Sequence, residues 1–526
     1  MNSMLASCVG IAAAMLATCP AHADRVIAAD MIAATSPMST AWRDSVGADH
    51  AGMLLRAAND DQLALVQREI GFRYLRFHGI FGEDTDPYRE VDGRAYYNFD
   101  RIDAVYARAL HAGIKPFVEV SFMPKDLAAN PGTIFYWNGR GTPPKDWQKW
   151  SAFITAFVQN LEGRFGRDEV RSWRFEIWNE PNLDGFWTHG DQDAYFRLYD
   201  TTVGAIRAVD PALRVGGPAT AGAAWVPAFL AHAQAAGTPV DFITTHTYGV
   251  AGGFLDEKGQ GDNKLILDRD AIIGDVRNVR AQIDASATPH LPLYVTEWST
   301  SYNPRDPIHD TYLSAPFILN KLKGTERDAQ AMSYWVYTDL FEEAGPPPTP
   351  FHGGFGLINR EGIRKPAFFA YKYLAALGPR QLRDDDAESW LTREGDNFAG
   401  LIWNYTLPAQ TVSNRPYYTR IHSAVRLSPV GLQIASLRPG AYRLRIWRTG
   451  YRANDPYTTY MGWGRPDHLS PEQIATLQQQ TADAPETDTP ITIGADGHFA
   501  RGIPIRTNDV LLVKLERLTP ATEPTR

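Results

Sequence analysis

Between about residues 40 and 340, eight extended apolar segments alternate with helical ones, and this alternation constrains the fold more than any other feature. The extended segments are 40–47, 72–78, 114–122, 172–178, 214–218, 242–247, 293–298 and 332–337. The stretches between them carry helix signals. Asp146 is placed to cap a helix whose apolar positions, Trp150, Phe153, Ile154, Phe157, Val158 and Leu161, recur at three- and four-residue spacing. Gly163 and Gly166 can stop it. Ile102, Val105, Tyr106, Ala109 and Leu110 repeat the pattern, and Gly113 ends it. Strands alternating with helices in this number predict an α/β fold, a (β/α)₈ TIM barrel. The alternative is a doubly wound open sheet. Its dinucleotide-binding version has no support, because no G-x-G-x-x-G follows a strand.

After about residue 385 the pattern changes to short strand-like runs between turn clusters: 397–406, 424–427, 442–448, 490–493 and 509–515. These predict an accessory β-sandwich, to which 25–29 could add a strand. The expected layout is a signal peptide over 1–23, an N-terminal arm over 24–39, the catalytic barrel over 40–380, the sandwich over 381–518 and a disordered tail over 519–526. The export reading rests on the apolar run 4–18 and on Ala21-His22-Ala23, a small-x-small cleavage pattern, although the first residues carry no Lys or Arg. It implies a periplasmic or secreted protein beginning at Asp24. Thr18 is too large for the residue before a lipidated cysteine, so anchoring at Cys19 is disfavoured. Both cysteines, Cys8 and Cys19, fall in this segment. The mature chain would then have no disulfide, no thiolate metal ligand and no Cys nucleophile.

With a net charge of −8 and no dense basic patch, nucleic acid and anionic membrane are not expected partners. Aromatics make up 12% of the chain, with 14 Trp and 23 Tyr. Rings stack on the C–H faces of sugars, so this excess leans towards carbohydrate, although from composition alone a large core with aromatic surface contacts is the commoner explanation.

In a barrel of this kind the site lies at the C-terminal ends of the strands. Those ends carry a polar cluster. Strand two ends Arg76-Phe77-His78-Gly79, strand four Asn179-Glu180, strand six His246-Thr247-Tyr248 and strand seven Glu297, and strand eight contains Tyr334-Trp335. Alternation puts Arg76 with His78, and His246 with Tyr248, on one face. Each residue alone is more often structural, but five strands converging on one polar group point to a site. Two strand-end glutamates suit retaining glycoside hydrolysis. Glu180 would be the acid/base, its pKa raised by burial and the Glu297 charge. Glu297 would be the nucleophile, kept ionised by Arg76 or Tyr248. Asn179 would hold the sugar 2-hydroxyl and Trp335 would form a floor. Glu119 and Glu176 would sit in the interior layers, and Glu342 or Glu343 would bind hydroxyls. No H-E-x-x-H, Cys cluster or paired histidines at ligand spacing occurs, so neither metal nor cofactor is expected.

These motifs resemble glycoside hydrolase family 39, which includes β-xylosidases and α-L-iduronidases. The resemblance is carried in order by residues 71–81, by 175–183 around Asn179-Glu180-Pro181, by His246-Thr247-Tyr248-Gly249, by Thr296-Glu297-Trp298, and by Phe341-Glu342-Glu343 with 351–357. It covers roughly residues 40 to 375. It implies that Glu180 is the acid/base and Glu297 the nucleophile. It also implies that His78, Asn179, His246 and Glu343 bind the reacting sugar, with Phe186 or Trp187 on the wall. Gly47-Ala48-Asp49-His50, read as a turn after strand one, departs from the family in its acidic residue. The expectation is an exo-acting β-xylosidase whose loops 251–262 and 304–314 close the site into a pocket. Rival specificities on the same site are α-L-iduronidase, arabinosidase or an endo-acting exopolysaccharide hydrolase. For iduronate, Lys125 and Arg305 are the only loop cations to nominate. A non-catalytic carbohydrate-binding barrel is the rival of another class, and both glutamates argue against it.

Overall fold

The computed structural model describes residues 24–518. The expected signal peptide with both cysteines, and the expected tail, lie outside the described residues. Eight parallel strands close into a barrel. They are β1 (Ser45–His50), β2 (Tyr74–His78), β3 (Lys115–Val120), β4 (Arg174–Ile177), β5 (Arg214–Thr220), β6 (Phe242–Tyr248), β7 (Leu293–Ser299) and β8 (Ala331–Tyr334). Tyr334 of β8 pairs with Val46 of β1 and closes the ring. A helix follows each strand in turn: α1 (Ala57–Glu69), α2 (Asp100–His111), α3 (Trp147–Phe165), α4 (Gln192–Val209), α5 (Val226–Ala236), α6 (Ile273–Asp284), α7 (Ser314–Thr325) and α8 (Pro366–Ala375). In α3 the Asp146 carboxylate accepts from the Gln148 and Lys149 amides, and the six apolar positions read from the sequence are all buried.

The first strand lies further on than 40–47. Residues Ala41–Arg43 form a 3-10 turn, and Gly47 to His50 belong to the strand itself. The glycine serves packing rather than a turn, since a Cβ at Gly47 would stand 2.3 Å from the Trp335 ring. Asp49 is buried beneath the rim. It accepts from the Glu342 amide at 2.6 Å and lies 3.0 Å from His50 Nδ1, so its role is structural.

The barrel interior changes character along its axis. Phe117, Phe242, Tyr294 and Ala331 make an apolar lower layer. The Arg174 guanidinium pairs with Asp44 and sits 4.1 Å from both the Tyr74 and Tyr294 ring centroids. Above this layer, Arg76, Glu119 and Glu176 fill the interior with charge, as expected of the two mid-strand glutamates.

The second unit has two sheets. A seven-stranded antiparallel sheet includes Ser389–Glu394, Asn397–Trp403, Gly440–Thr449 and Val510–Arg517. A three-stranded sheet joins Arg25–Asp30, Val430–Ala435 and Phe499–Ile503. Ile27, Leu432 and Phe499 of the smaller sheet share one core with Leu391, Leu444 and Val513 of the larger. Residues 424–427 are not a strand, since only Arg426 bridges, to Arg506. The strand is Val430–Ala435, whose Val430, Leu432 and Ile434 alternate inward. Two helices here, Pro456–Gly462 and Pro471–Gln480, have no counterpart in the sequence reading, although Ser470 and Gln473 form a capping box.

Candidate active site

The chain leaves β4 through Trp178-Asn179-Glu180. Trp178 (φ 74°) and Glu180 (φ 45°) are both left-handed, a conformation that costs a non-glycine residue about 1–2 kcal/mol. Two hydrogen bonds hold it: the Glu180 amide donates to Ala219 O at 2.9 Å, and Trp178 Nε1 to Phe186 O at 2.9 Å. The turn presents the consecutive side chains of Asn179 and Glu180 to one cavity.

That cavity, about 620 Å³, opens at the C-terminal ends of the strands. Glu180 and Glu297 both line it, with His78, Asn179, Phe186, Tyr248, Trp335 and Glu343. Carboxylate oxygens of the two glutamates lie within 4.8 Å of each other. Their surroundings differ. Glu297 Oε1 accepts from Arg76 Nη1 at 2.7 Å, and Oε2 from the Tyr248 hydroxyl at 2.7 Å. Both of its oxygens are thus taken by donors. Glu180 touches no cation. Burial raises its carboxyl to about 7 against the opposing charges of His78 and Arg76. The carboxylate that adds to this rise is Glu119, deeper in the barrel, rather than the expected Glu297.

His78 stands between Glu119, 2.7 Å from Nδ1, and Glu343, 3.3 Å from Nε2. Burial opposes its charge, but these carboxylates outweigh burial and hold the imidazole well above its ordinary range. Burial likewise pushes Glu343 up to about 7. The Glu343 carbonyl accepts from the Tyr136 amide at 2.9 Å, which fixes the loop after β8.

Four residues expected to meet substrate lie elsewhere. Arg76 is wholly buried; its Nε, Nη1 and Nη2 are turned to Glu176, Glu297, Asn179 and Glu119 beneath the cavity floor. His246 is also wholly buried, with Nδ1 2.8 Å from Glu180 Oε1, and reaches the site only through that carboxyl. Trp187 packs edge-on against Trp178 and spends its Nε1–H on Asp191 O, so Phe186 alone provides the wall. Glu342 forms a two-pronged pair with Arg56, both contacts 2.8 Å, outside the cavity. Neither loop cation arrives either. Lys125 is exposed away from the cavity, and Arg305 donates to Ala344 O at 2.7 Å. Among the described residues, no Lys or Arg lines the cavity.

Sequence reasoning missed Tyr302, Phe355 and Asp275 on the lining. Asp275, in the first turn of α6, accepts from Thr247 Oγ1 at 2.6 Å; nothing in its sequence neighbourhood marks it. The loop 251–262 is a hairpin, Val250–Leu255 with Gly261–Leu265, and Val250 and Ile266 at its base line the cavity. The second unit clamps this wall. The Asn414 amide accepts from the Leu265 amide at 2.9 Å and donates to Asp306 at 2.7 Å, tying hairpin and 304–314 loop together.

Glu180, His246 and Glu297 are the one group of possible metal ligands found among the described residues. Arg76 and Tyr248 already occupy one oxygen each of Glu297. This donor set fits a proton better than a metal.

The model of glycosyl hydrolases family 39 matches residues 26–500. A β-xylosidase of Geobacillus stearothermophilus is 36% identical over 489 residues, covering 91% of this chain and 94% of that protein. The crystal structure of a GH39 enzyme from Xanthomonas axonopodis pv. citri superposes with TM-score 0.92 at 50% identity, covering 94% of this chain and 98% of that one. That of a monomeric β-xylosidase from Caulobacter crescentus CB15 gives TM-score 0.92 at 50% identity, covering 94% and 100%. Matching over nearly its whole described length, with two carboxyl groups facing each other at the barrel mouth, the chain belongs to glycosyl hydrolase family 39 and is a glycoside hydrolase.

Proposed function

We propose that the chain is a retaining, exo-acting β-xylosidase that releases xylose from xylo-oligosaccharides. The observation that carries this reading is the pair of carboxyl groups within 4.8 Å, one bonded to a guanidinium and a hydroxyl donor, the other buried without a cation. Retaining enzymes hold their carboxyl groups about 5–5.5 Å apart, whereas inverting ones leave about 6.5–9.5 Å for a water. Glu297 attacks the anomeric carbon while Glu180 passes its proton to the leaving oxygen. Glu180, now ionised, takes a proton from the water that opens the glycosyl ester. Asn179 Oδ1 is engaged by Arg76 at 2.9 Å, which leaves its amide nitrogen for the sugar 2-hydroxyl. Trp335 supports the ring face, and His78 and Glu343 take further hydroxyls.

The β-xylosidases at 36% and 50% identity support the sugar assignment. The absence of Lys and Arg from the described lining speaks against a uronate, whose carboxylate would find no guanidinium or ammonium there. Val250 at the base of the hairpin lines the cavity, which favours exo action, although residues 251–262 and 304–314, expected to close the site, do not line it. The segment 1–23 supports export to the periplasm or medium. No described helix is long and apolar enough to cross a membrane.

The test is a panel of aryl β-xyloside, α-L-arabinoside, β-galactoside and α-L-iduronide, with wild type and Glu297→Ala. A dominant β-xyloside activity, lost in the variant, is expected. A dominant signal on another glycoside would replace the sugar, and activity on none would overturn the exo reading.

A further inference from the structure

Thr296 and Glu297 are neighbours in β7, yet both side chains enter the barrel. The register with β6 explains it. Thr245 pairs with Val295 and His246 with Glu297, so Thr296 is the extra residue of a β-bulge, a device that re-aims side chains. Thr296 Oγ1 donates its single proton to Glu176 Oε1 at 2.8 Å. The other Glu176 oxygen receives Arg76 Nε at 2.5 Å, so both Glu176 oxygens are engaged as acceptors. The Thr296 oxygen can therefore only accept from its remaining neighbour, His246 Nε2, at 3.2 Å.

Burial keeps His246 neutral, pushing it down to about 4. A neutral imidazole has one ring proton, and here Nε2 carries it. Nδ1 is then a bare lone pair, 2.8 Å from Glu180 Oε1 and 3.6 Å from Glu297 Oε2. At 2.8 Å a lone pair against a carboxylate oxygen repels, whereas a protonated carboxyl can donate to it.

We infer that the Thr296 hydroxyl, anchored on Glu176, locks His246 in its Nε2–H tautomer and so makes His246 the acceptor that retains the proton on Glu180. The inference rests on Glu180 being the acid/base. Thr296 and His246 are positioning residues in this scheme. In the first half-reaction the proton leaves Glu180 for the departing oxygen. The Glu180 carboxylate then faces the bare nitrogen, which sharpens it as the base that takes the water proton in the second half. The other charged groups around Glu180 are Arg76 and His78 on β2, Glu119 on β3, Glu297 on β7 and Glu343 after β8. Replacing Thr296 by Val removes none of them. It frees the ring to hold its proton on Nδ1 and donate to ionised Glu180, which weakens the acid's hold on its proton.

The test is ¹⁵N NMR of histidine-labelled protein, with the His246 signals assigned through His246→Gln. Wild type is expected to show a protonated Nε2 and a bare Nδ1. Thr296→Val is expected to move the proton to Nδ1 and to lower the basic limb of the pH–kcat/KM profile by on the order of one pH unit. Thr296→Ser keeps the hydroxyl and should retain both wild-type behaviours. A protonated Nδ1 in wild type, or an unmoved basic limb in folded Thr296→Val, overturns the inference. The wild-type tautomer is read without Thr296→Val, so a Thr296→Val chain that failed to fold would not shield the tautomer assignment. The ring proton is read without turnover, whereas the acid role of Glu180 is read from azide rescue of Glu180→Ala, so the two failures are distinguishable.

Discussion

Arg76 Nη1 donates to Glu297 Oε1 at 2.7 Å, although no part of Arg76 reaches the cavity surface. The same guanidinium holds Asn179, Glu176 and Glu119, so one buried cation organises both glutamates' supports. Breaking a buried charge network by removing one partner costs about 3–5 kcal/mol. Arg76→Met should therefore lower the melting temperature markedly and abolish turnover. Arg76→Lys should keep more stability and still lose most of kcat, because an ammonium cannot reproduce the planar fork. Thermal unfolding and steady-state kinetics on both variants check this.

Tyr248→Phe removes one donor from Glu297 and leaves the ring. A hydrogen bond to a charged group is worth about 1.5–3 kcal/mol, or roughly a 10- to 100-fold loss of rate. The loss should appear in kcat/KM for an aryl β-xyloside, with little change in melting temperature.

Glu180 supplies a pH-dependent stability signature. Its folded pKa, about 7, lies above its ordinary value of 4.5. The folded state therefore binds this proton more tightly, and the cost of ionising the buried group is absent below pH 4.5. That cost grows as pH rises towards 7 and is fully present above it, reaching up to about 3 kcal/mol. Glu180→Gln, which stays neutral, should be more stable than wild type at pH 8 and alike at pH 4. Unfolding curves at the two pH values decide this. Equal differences at both would remove the raised pKa.

Adjacent glutamates should separate cleanly. Glu343→Gln should raise KM by about tenfold or more, since it lines the cavity beside His78. Glu342→Gln should leave KM unchanged and slightly lower stability through its partly exposed Arg56 pair. Michaelis constants for the two variants settle the assignment.

The barrel and both glutamates were legible because strand and helix periodicities differ and because a carboxylate after an apolar strand stands out. What stayed hidden was set by tertiary contacts. Gly47 reads as a turn until Trp335 is packed against it. Phe186 and Trp187 are equivalent in sequence, and the Trp178 ring decides which one turns inward. Glu342 differs from Glu343 only through Arg56, 286 residues away. Arg76 and His246 carry the right chemistry at strand ends, but each lies one layer too deep to touch a sugar. The bulge at Thr296 leaves no mark in the strand's apolar pattern.

The measurement that tests the central claim most directly is covalent trapping. Incubation with a 2-deoxy-2-fluoro-β-xyloside bearing a good leaving group should add one fluoroxylosyl unit to the intact protein, mapped by peptide mass spectrometry to Glu297. An ester on Glu180 or another carboxylate, or turnover to the α anomer with no adduct, would contradict the account.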